Sequence, residues 1–137
     1  MTTLERSFPR RLDALDALFG FAAAGLRNLG LAASLQPTVD FVLEELFTNM
    51  VKYGTTRRDV RVQMRRDGDS VEVTLDDEDS AFFDVTAPPP VDTGAPLERR
   101  QPGGLGLHLI GKLVDSIEYR YDPEQRLARI VFRKSAA

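Results

Sequence analysis

The sequence predicts an α+β two-layer sandwich in which helices cover one face of a mixed, mainly antiparallel sheet. Two observations lead to this fold class. Apolar residues recur at helical spacing in three separate segments, and they alternate with polar residues in two pairs of neighbouring segments joined by short turns. Helices that are separated along the chain from such hairpins pack together on one face of the sheet that the hairpins form.

Length and composition agree with one globular domain spanning residues 1–137. Apolar residues make up 42% of the chain and charged residues 28%, as in ordinary soluble proteins. The net charge of −3 argues against general nucleic-acid binding, which requires a basic face. The absence of cysteine and the single histidine exclude thiolate and His-rich metal sites, and no apolar run approaches the ~20 residues of a membrane span. We therefore expect a cytoplasmic protein that binds neither nucleic acid nor membrane.

The chain begins with a short extended segment, residues 2–8, and continues with a helix predicted over residues 10–29. Seven apolar residues in that range recur at helical spacing, namely Leu12, Leu15, Leu18, Phe19, Ala22, Leu26 and Leu29. Gly30 provides the stop signal for this helix.

The second helix, predicted over residues 37–53, contains the most informative stretch of the chain, VDFVLEELFTNMVKYG. Pro37 suits its first turn, and Gly54 closes it. An apolar arc of about 140° on this helix is wide enough to dock on a core. Six residues form the arc, namely Val39, Val42, Leu43, Leu46, Phe47 and Met50.

Glu45 and Asn49 stand one turn apart at the edge of that arc, and Lys52 follows on the same side. An amide oxygen is a hard ligand that suits magnesium. A carboxylate one turn away can orient or deprotonate an incoming hydroxyl. On this stretch alone, an ordinary amphipathic helix with polar residues at its margin remains the alternative.

Two hairpins are predicted, and a proline-rich segment and a third helix lie between them. Residues 59–66 and 71–75 alternate around an Asp-Gly turn, and residues 116–121 and 127–133 flank an Asp-Pro turn. Residues 84–103 contain five of the eight prolines and no apolar periodicity. A loop of this length inside a compact domain is usually a functional lid or a disordered segment.

The third helix opens with glycines in the stretch GGLGLHLIGKLVD, residues 103–115. Uncrowded backbone amides at a helix start form a natural phosphate site. Neither GxxxxGK nor GxGxxG is matched, so a plain loop-to-helix junction remains open. The acidic run Asp76–Asp79 ends a strand near Phe82, and its alternative role is a solvated turn. For His108, which has no second histidine or cysteine to bind a metal with, we expect a packing or surface role.

The order of these features resembles that of the GHKL (Bergerat-fold) ATP-binding domain, from about residue 8 to residue 134. Glu45 and Asn49 lie on a helix, an acidic strand end and a proline-rich segment follow, and GGLGLHLIGKLVD comes last. The pattern is most similar to the single-domain bacterial branch, the anti-sigma-factor serine/threonine-protein kinases. The resemblance implies a homodimer that binds ATP and Mg²⁺, binds a sigma factor, and phosphorylates a STAS-domain anti-sigma antagonist in a partner-switching pathway.

The resemblance also implies roles for individual residues. Asn49 matches the asparagine that holds the magnesium, Glu45 matches the general base, and Lys52 matches a basic residue near the phosphates. Asp77 matches the aspartate that accepts the exocyclic amine of adenine, in a pattern Asp-x-Gly-x-x-Phe that ends here at Phe82.

A second nucleotide-binding segment is implied at the start of the third helix. It comprises Gly103, Gly104, Leu105, Gly106 and Leu107. Its glycines match those whose backbone closes over the phosphates, and residues 84–102 match the ATP lid.

One departure from the family pattern affects the nucleotide site directly. Asp79 occupies the glycine position of the adenine motif, so the turn carries a side chain and a negative charge near a polyanionic nucleotide. Like charges ~4 Å apart repel by a few kcal/mol at an effective dielectric near 20. A milder change is Gly111, where the family more often has a long polar residue. The alternative function is therefore a protein-binding module of the same fold that has lost its nucleotide chemistry.

Overall fold

The computed structural model describes residues 2–54, 56–87 and 104–136. Within this part of the chain, three helices and five strands follow the predicted order. They are β1 (Thr3–Phe8), α1 (Leu15–Asn28), α2 (Gln36–Tyr53), β2 (Val60–Asp67), β3 (Ser70–Asp77), α3 (Gly104–Leu113), β4 (Ser116–Asp122) and β5 (Leu127–Ser135). Short 3₁₀ helices, Leu12–Ala14 and Ala33–Leu35, precede α1 and α2. Residues 88–102 of the predicted lid and Gly103 lie outside the described residues.

The five strands form one sheet in the order β1-β2-β3-β5-β4. The β2–β3 and β4–β5 pairs are the two predicted hairpins, and their short turns require antiparallel pairing. β1 adds antiparallel to β2 at one edge, and β5 pairs antiparallel with β3. Every pairing among the described strands is thus antiparallel, whereas the sequence predicted a mixed, mainly antiparallel sheet. The two-layer α+β fold class is confirmed.

The three helices pack on the same face of this sheet, because the strands present alternate apolar residues to that face. The inward residues of the three central strands are Val60, Val62, Met64, Val71, Val73, Leu75, Ala128, Ile130 and Phe132. α2 contacts both α1 and α3, and it buries all six residues of its predicted apolar arc. Burial of the arc fixes the rotation of α2, and that rotation sets where Glu45 and Asn49 can point. Among the described residues, no helix has the length and apolar character needed to cross a membrane.

The opposite face of the sheet is polar and carries a buried carboxylate between two arginines. Asp76 on β3 is 1% exposed. Arg61 on β2 and Arg129 on β5 donate hydrogen bonds of 2.7–2.9 Å to its two oxygens. Burial alone would raise the pKa of Asp76, but the bonds and charges of Arg129 and Arg61 outweigh it, so the pKa lies below its usual value.

Replacing Asp76 by asparagine is expected to lower the free energy of unfolding by about 2–3 kcal/mol near pH 7, because two partly exposed arginines lose their charged partner. A carboxylate with a lowered folded-state pKa stabilises the fold above its unfolded-state pKa of about 3.9, and that stabilisation disappears as the pH falls through the folded-state value. In urea titrations, the difference in the free energy of unfolding between Asp76→Asn and the unmodified protein should therefore shrink below about pH 4.

The matched control for this substitution is Glu118→Gln, which removes a carboxylate from an exposed ion pair on the same face of the sheet. It should change the free energy of unfolding by less than about 0.5 kcal/mol. A difference between Asp76→Asn and the unmodified protein that stays constant down to about pH 2 would show that the ionised carboxylate is not the stabilising group.

Candidate functional site

A cavity of about 270 Å³ opens between the C-terminal half of α2, the residues that follow β3, and the helix-facing side of β4 and β5. Its walls are mainly apolar and include Leu46, Met50, Phe82, Tyr119 and Ile130. Its polar lining includes Asn49, Asp77 and Ser80. A concave apolar site with a few polar groups is the usual form of a small-molecule site. The structure thus brings three of the sequence-predicted residues, Asn49, Asp77 and Phe82, to one cavity.

Asn49 is oriented by a hydrogen bond within its own helix. Its Nδ2 donates to the main-chain carbonyl of Glu45 at 2.7 Å. A carbonyl accepts a bond from the amide nitrogen only, so this bond does not engage the amide oxygen of Asn49, and Asn49 is among the residues that line the cavity. The described residues contain no group of three or more His, Cys, Asp or Glu that could hold a metal. A magnesium ion here would therefore take this one amide oxygen together with phosphate and water oxygens, a donor set that suits magnesium.

Glu45 lies one turn before Asn49 and meets the glycine motif. A Cβ added at Gly106 would overlap the Glu45 carboxylate, so the first turn of α3 lies directly against that side chain. Burial raises the pKa of Glu45 and the charge of Glu44 raises it further, while Lys52 acts in the opposite direction. A raised pKa favours proton uptake, which is the property that a general base needs. The glycine motif therefore lies against the helix motif at Gly106 and Glu45.

Asp77 lies at the end of β3, at the edge of the cavity, and is 8% exposed. Burial raises its pKa, and a hydrogen bond and the charge of Arg10 oppose that effect. Arg10 forms an ion pair with Asp77 Oδ1. The sequence carries no local signal for this pair, because the two residues are 67 positions apart.

Asp79 adopts the backbone conformation that a glycine would supply, with φ at +54°. Its Oδ1 lies 3.2 Å from Arg126 Nε, and both side chains are 51% exposed. Asp79 is not among the residues that line the cavity. Aspartate tolerates the left-handed region better than most residues, so this turn accommodates an aspartate at the position for which the sequence pattern expects glycine.

For a site that binds MgATP, as the resemblance implies, replacing Asp79 by glycine is consequently expected to change the affinity by less than about twofold, because the carboxylate pairs with Arg126 and Asp79 does not line the cavity. Isothermal titration calorimetry of both proteins provides the measurement. An affinity gain of about tenfold or more would show that the aspartate repels the nucleotide after all.

Two tyrosines on β4 position the segment after β3, and the sequence reasoning missed both. Tyr121 donates from its hydroxyl to the carbonyl of Ser80 at 2.8 Å, and the Phe83 N–H donates to the Tyr119 hydroxyl at 3.0 Å. The Phe82 ring packs edge-on against both tyrosine rings, at centroid distances of 5.5 and 5.8 Å. Their i, i+2 spacing on a predicted strand was the available signal, since it places both rings on one face.

The remaining predicted residues that the structure describes are not among those that line the cavity. Lys52 is exposed on the last turns of α2, and His108 is exposed on α3. Gly104 begins α3, whereas the Leu107 side chain is 3% exposed and belongs to the hydrophobic core. The side chain of Leu105, like Gly103, lies outside the described part of the chain.

The comparison with known protein families agrees with this geometry. The model of a family described as histidine kinase-like ATPase domain matches residues 8–132. No curated protein shows a significant match to the chain. The matched span runs from the end of β1 into β5, so it includes α2, the end of β3, α3 and each described residue that lines the cavity.

Proposed function

The chain belongs to the histidine kinase-like ATPase domain family of the GHKL superfamily, and we propose that it is a MgATP-dependent protein serine/threonine kinase. One observation carries the proposal. Glu45 and Asn49 lie one turn apart on α2, with the glycine motif packed on Glu45 and the Asp77 cavity beside Asn49. This arrangement supports the proposal, because an extended nucleotide with its adenine in the cavity would have its phosphates near Asn49 and its terminal phosphate near Glu45.

Each part of the site has a role in such a reaction. The apolar cavity holds the adenine, and Asp77 accepts a hydrogen bond from its exocyclic amine. Bound magnesium neutralises charge on the phosphates, and Asn49 Oδ1 is the protein oxygen that would hold it. Backbone amides at the start of α3 face the phosphates. Glu45 accepts the proton of the serine or threonine hydroxyl as that oxygen bonds to the terminal phosphorus, and the bond from phosphorus to the ADP oxygen breaks.

The proposed protein substrate is a STAS-domain anti-sigma antagonist, and the proposed binding partner is a sigma factor. The likeness in motif order to the single-domain anti-sigma-factor kinases supports this choice. We further propose that the protein acts as a homodimer, as kinases of that branch typically do. Light scattering that shows a monomer at high micromolar concentration would contradict the dimer.

The test begins with calorimetry of MgATP and MgADP. Purified STAS-domain proteins of the same organism are then incubated with the protein and MgATP, and mass spectrometry locates any phosphorylated serine or threonine. Nucleotide binding followed by transfer to a STAS protein is the expected result. Absence of nucleotide binding together with capture of a sigma factor would overturn the kinase and support the binding module. The observation that raised that second candidate, Asp79, carries less weight since its charge is paired with Arg126.

Replacing Gly106 by alanine is expected to slow phosphoryl transfer about 10- to 100-fold, because the added methyl must displace the Glu45 carboxylate from its position. The matched control is Gly111→Ala on the same helix, where an added Cβ meets nothing within 4 Å. The control should keep full activity and gain up to about 1 kcal/mol of stability. Equal rates for the two variants in a phosphate-transfer assay would show that the Gly106–Glu45 contact does not position the base.

A further inference from the structure

Arg10 is a buried arginine that joins four segments of the chain. It follows β1, and its side chain is 3% exposed. Its Nε donates to the carbonyl of Arg58 at 3.1 Å, and its Nη1 donates to the carbonyl of Met50 at 3.0 Å. Its Nη2 donates to Asp77 Oδ1. A guanidinium carries only donors, and each of the three nitrogens of this one donates a hydrogen bond.

These three bonds fix the guanidinium relative to the cavity. The group is planar and rigid, so it cannot rotate without losing at least one of them. Met50 belongs to the last turn of α2 and lines the cavity, as does Gly54. A Cβ added at Gly54 would lie 2.9 Å from Arg10 Nη1, so the missing side chain at Gly54 makes room for the arginine. Arg10 is therefore held against the wall of the site.

Arg10 binds Asp77 through only one of its two carboxylate oxygens. Its Oδ1 is bound by Arg10, while the residue lines the cavity and its side chain retains 12% exposure. The second carboxylate oxygen is therefore the one that a ligand in the cavity can reach. As long as the carboxylate is ionised, both oxygens accept hydrogen bonds and neither donates. A buried carboxylate without a cation partner takes up a proton more readily and then carries a donor as well.

We propose that Arg10 is a positioning residue of this site, which holds Asp77 so that its second oxygen faces the cavity as a pure acceptor and thereby selects a base with an exocyclic amine. The proposal rests on the proposed function, because it concerns the same cavity. Arg10 itself is not among the residues that line the cavity. It acts through Asp77, and its loss should reduce discrimination between bases and not merely lower affinity in general.

The experiment compares ATP with purine riboside triphosphate, which lacks only the 6-amino group. Dissociation constants of both magnesium complexes are measured for the unmodified protein, Arg10→Gln and Arg11→Gln. Arg11 is the matched control, since it is exposed and pairs with Asp13 at the surface. The unmodified protein and Arg11→Gln should prefer ATP by about 10- to 100-fold. In Arg10→Gln the preference should fall below about threefold, chiefly because ATP binds more weakly.

The outcomes separate the positioning role from a structural one. If Arg10→Gln loses affinity for both nucleotides equally, Arg10 only stabilises the fold and the proposal is overturned. The proposed nucleotide binding is not affected by that result. A preference for ATP that is unchanged in Arg10→Gln overturns the proposal equally. If the unmodified protein binds neither nucleotide, the proposed function fails and this inference fails with it.

A second variant covers the case in which Arg10→Gln does not fold. Arg10→Lys keeps the charge beside Asp77 but cannot make three fixed bonds. Its preference for ATP should lie at least threefold below that of the unmodified protein. Circular dichroism confirms that it is folded, and a full preference for ATP in this variant would overturn the need for a fixed guanidinium.

Discussion

Replacing Glu45 by glutamine is expected to slow phosphoryl transfer by on the order of 10²–10⁴-fold while MgATP affinity stays within about twofold. Glutamine keeps the shape of the side chain and its contact with Gly106, but it cannot accept the hydroxyl proton. In the proposed reaction Glu45, one turn from Asn49 and against Gly106, acts on the terminal phosphate and its acceptor. Ground-state binding should consequently survive, and only the transition state should lose a partner.

The measurement combines single-turnover transfer to a STAS-domain protein with calorimetry of MgATP. Glu44→Gln is the matched control, because Glu44 is the exposed neighbour on the same helix, and it should keep the rate within a few-fold. Since burial and Glu44 raise the pKa of Glu45, the rate of the unmodified protein should rise with pH through a value above the usual ~4.3 of a glutamate. The glutamine variant should lack this rise. Equal rates for the two glutamine variants would remove Glu45 from the role of base.

The second large effect is expected for Asn49→Ala, which should weaken MgATP binding about 10- to 100-fold. The substitution removes the amide oxygen that would hold the magnesium in the proposed complex, and with it the protein's proposed link to the phosphates. Affinity for ATP in the presence of a chelator should change much less, since the apolar walls and Asp77 remain. The loss should therefore depend on magnesium.

Calorimetry with and without magnesium distinguishes this effect from a change in the cavity. Thr48→Ala is the matched control, because the Thr48 hydroxyl donates to the carbonyl of Glu44 in its own helix at 2.7 Å. It should leave both affinities within about twofold. If Asn49→Ala weakened the binding of ATP without magnesium by the same factor, Asn49 would only line the cavity and would not be a metal ligand.

The sequence by itself determined the helices and strands, their order, and which face of α2 is buried. These properties are local, because an apolar arc at helical spacing or an alternating strand needs only its neighbours along the chain to be recognised. Once the arc from Val39 to Met50 is buried, Glu45 and Asn49 must lie on one side of the helix, one turn apart. The turn residues of the two hairpins likewise set antiparallel pairing before any long-range contact is known.

Only the tertiary structure decided how the separate motifs meet. Arg10 reaches Asp77 across 67 positions, Asp79 turns to Arg126, and the Glu45 carboxylate fills the space left by Gly106. No periodic pattern in the sequence predicts these contacts, because each depends on which surfaces the sheet order and helix packing bring together. The same acidic strand end could have been a solvated turn or a repulsive nucleotide site. Arg10, in the segment after β1, pairs with the buried Asp77, and Arg126, in the turn between β4 and β5, pairs with the exposed Asp79. A buried charge such as that of Asp77 is stable only where packing supplies its counter-charge.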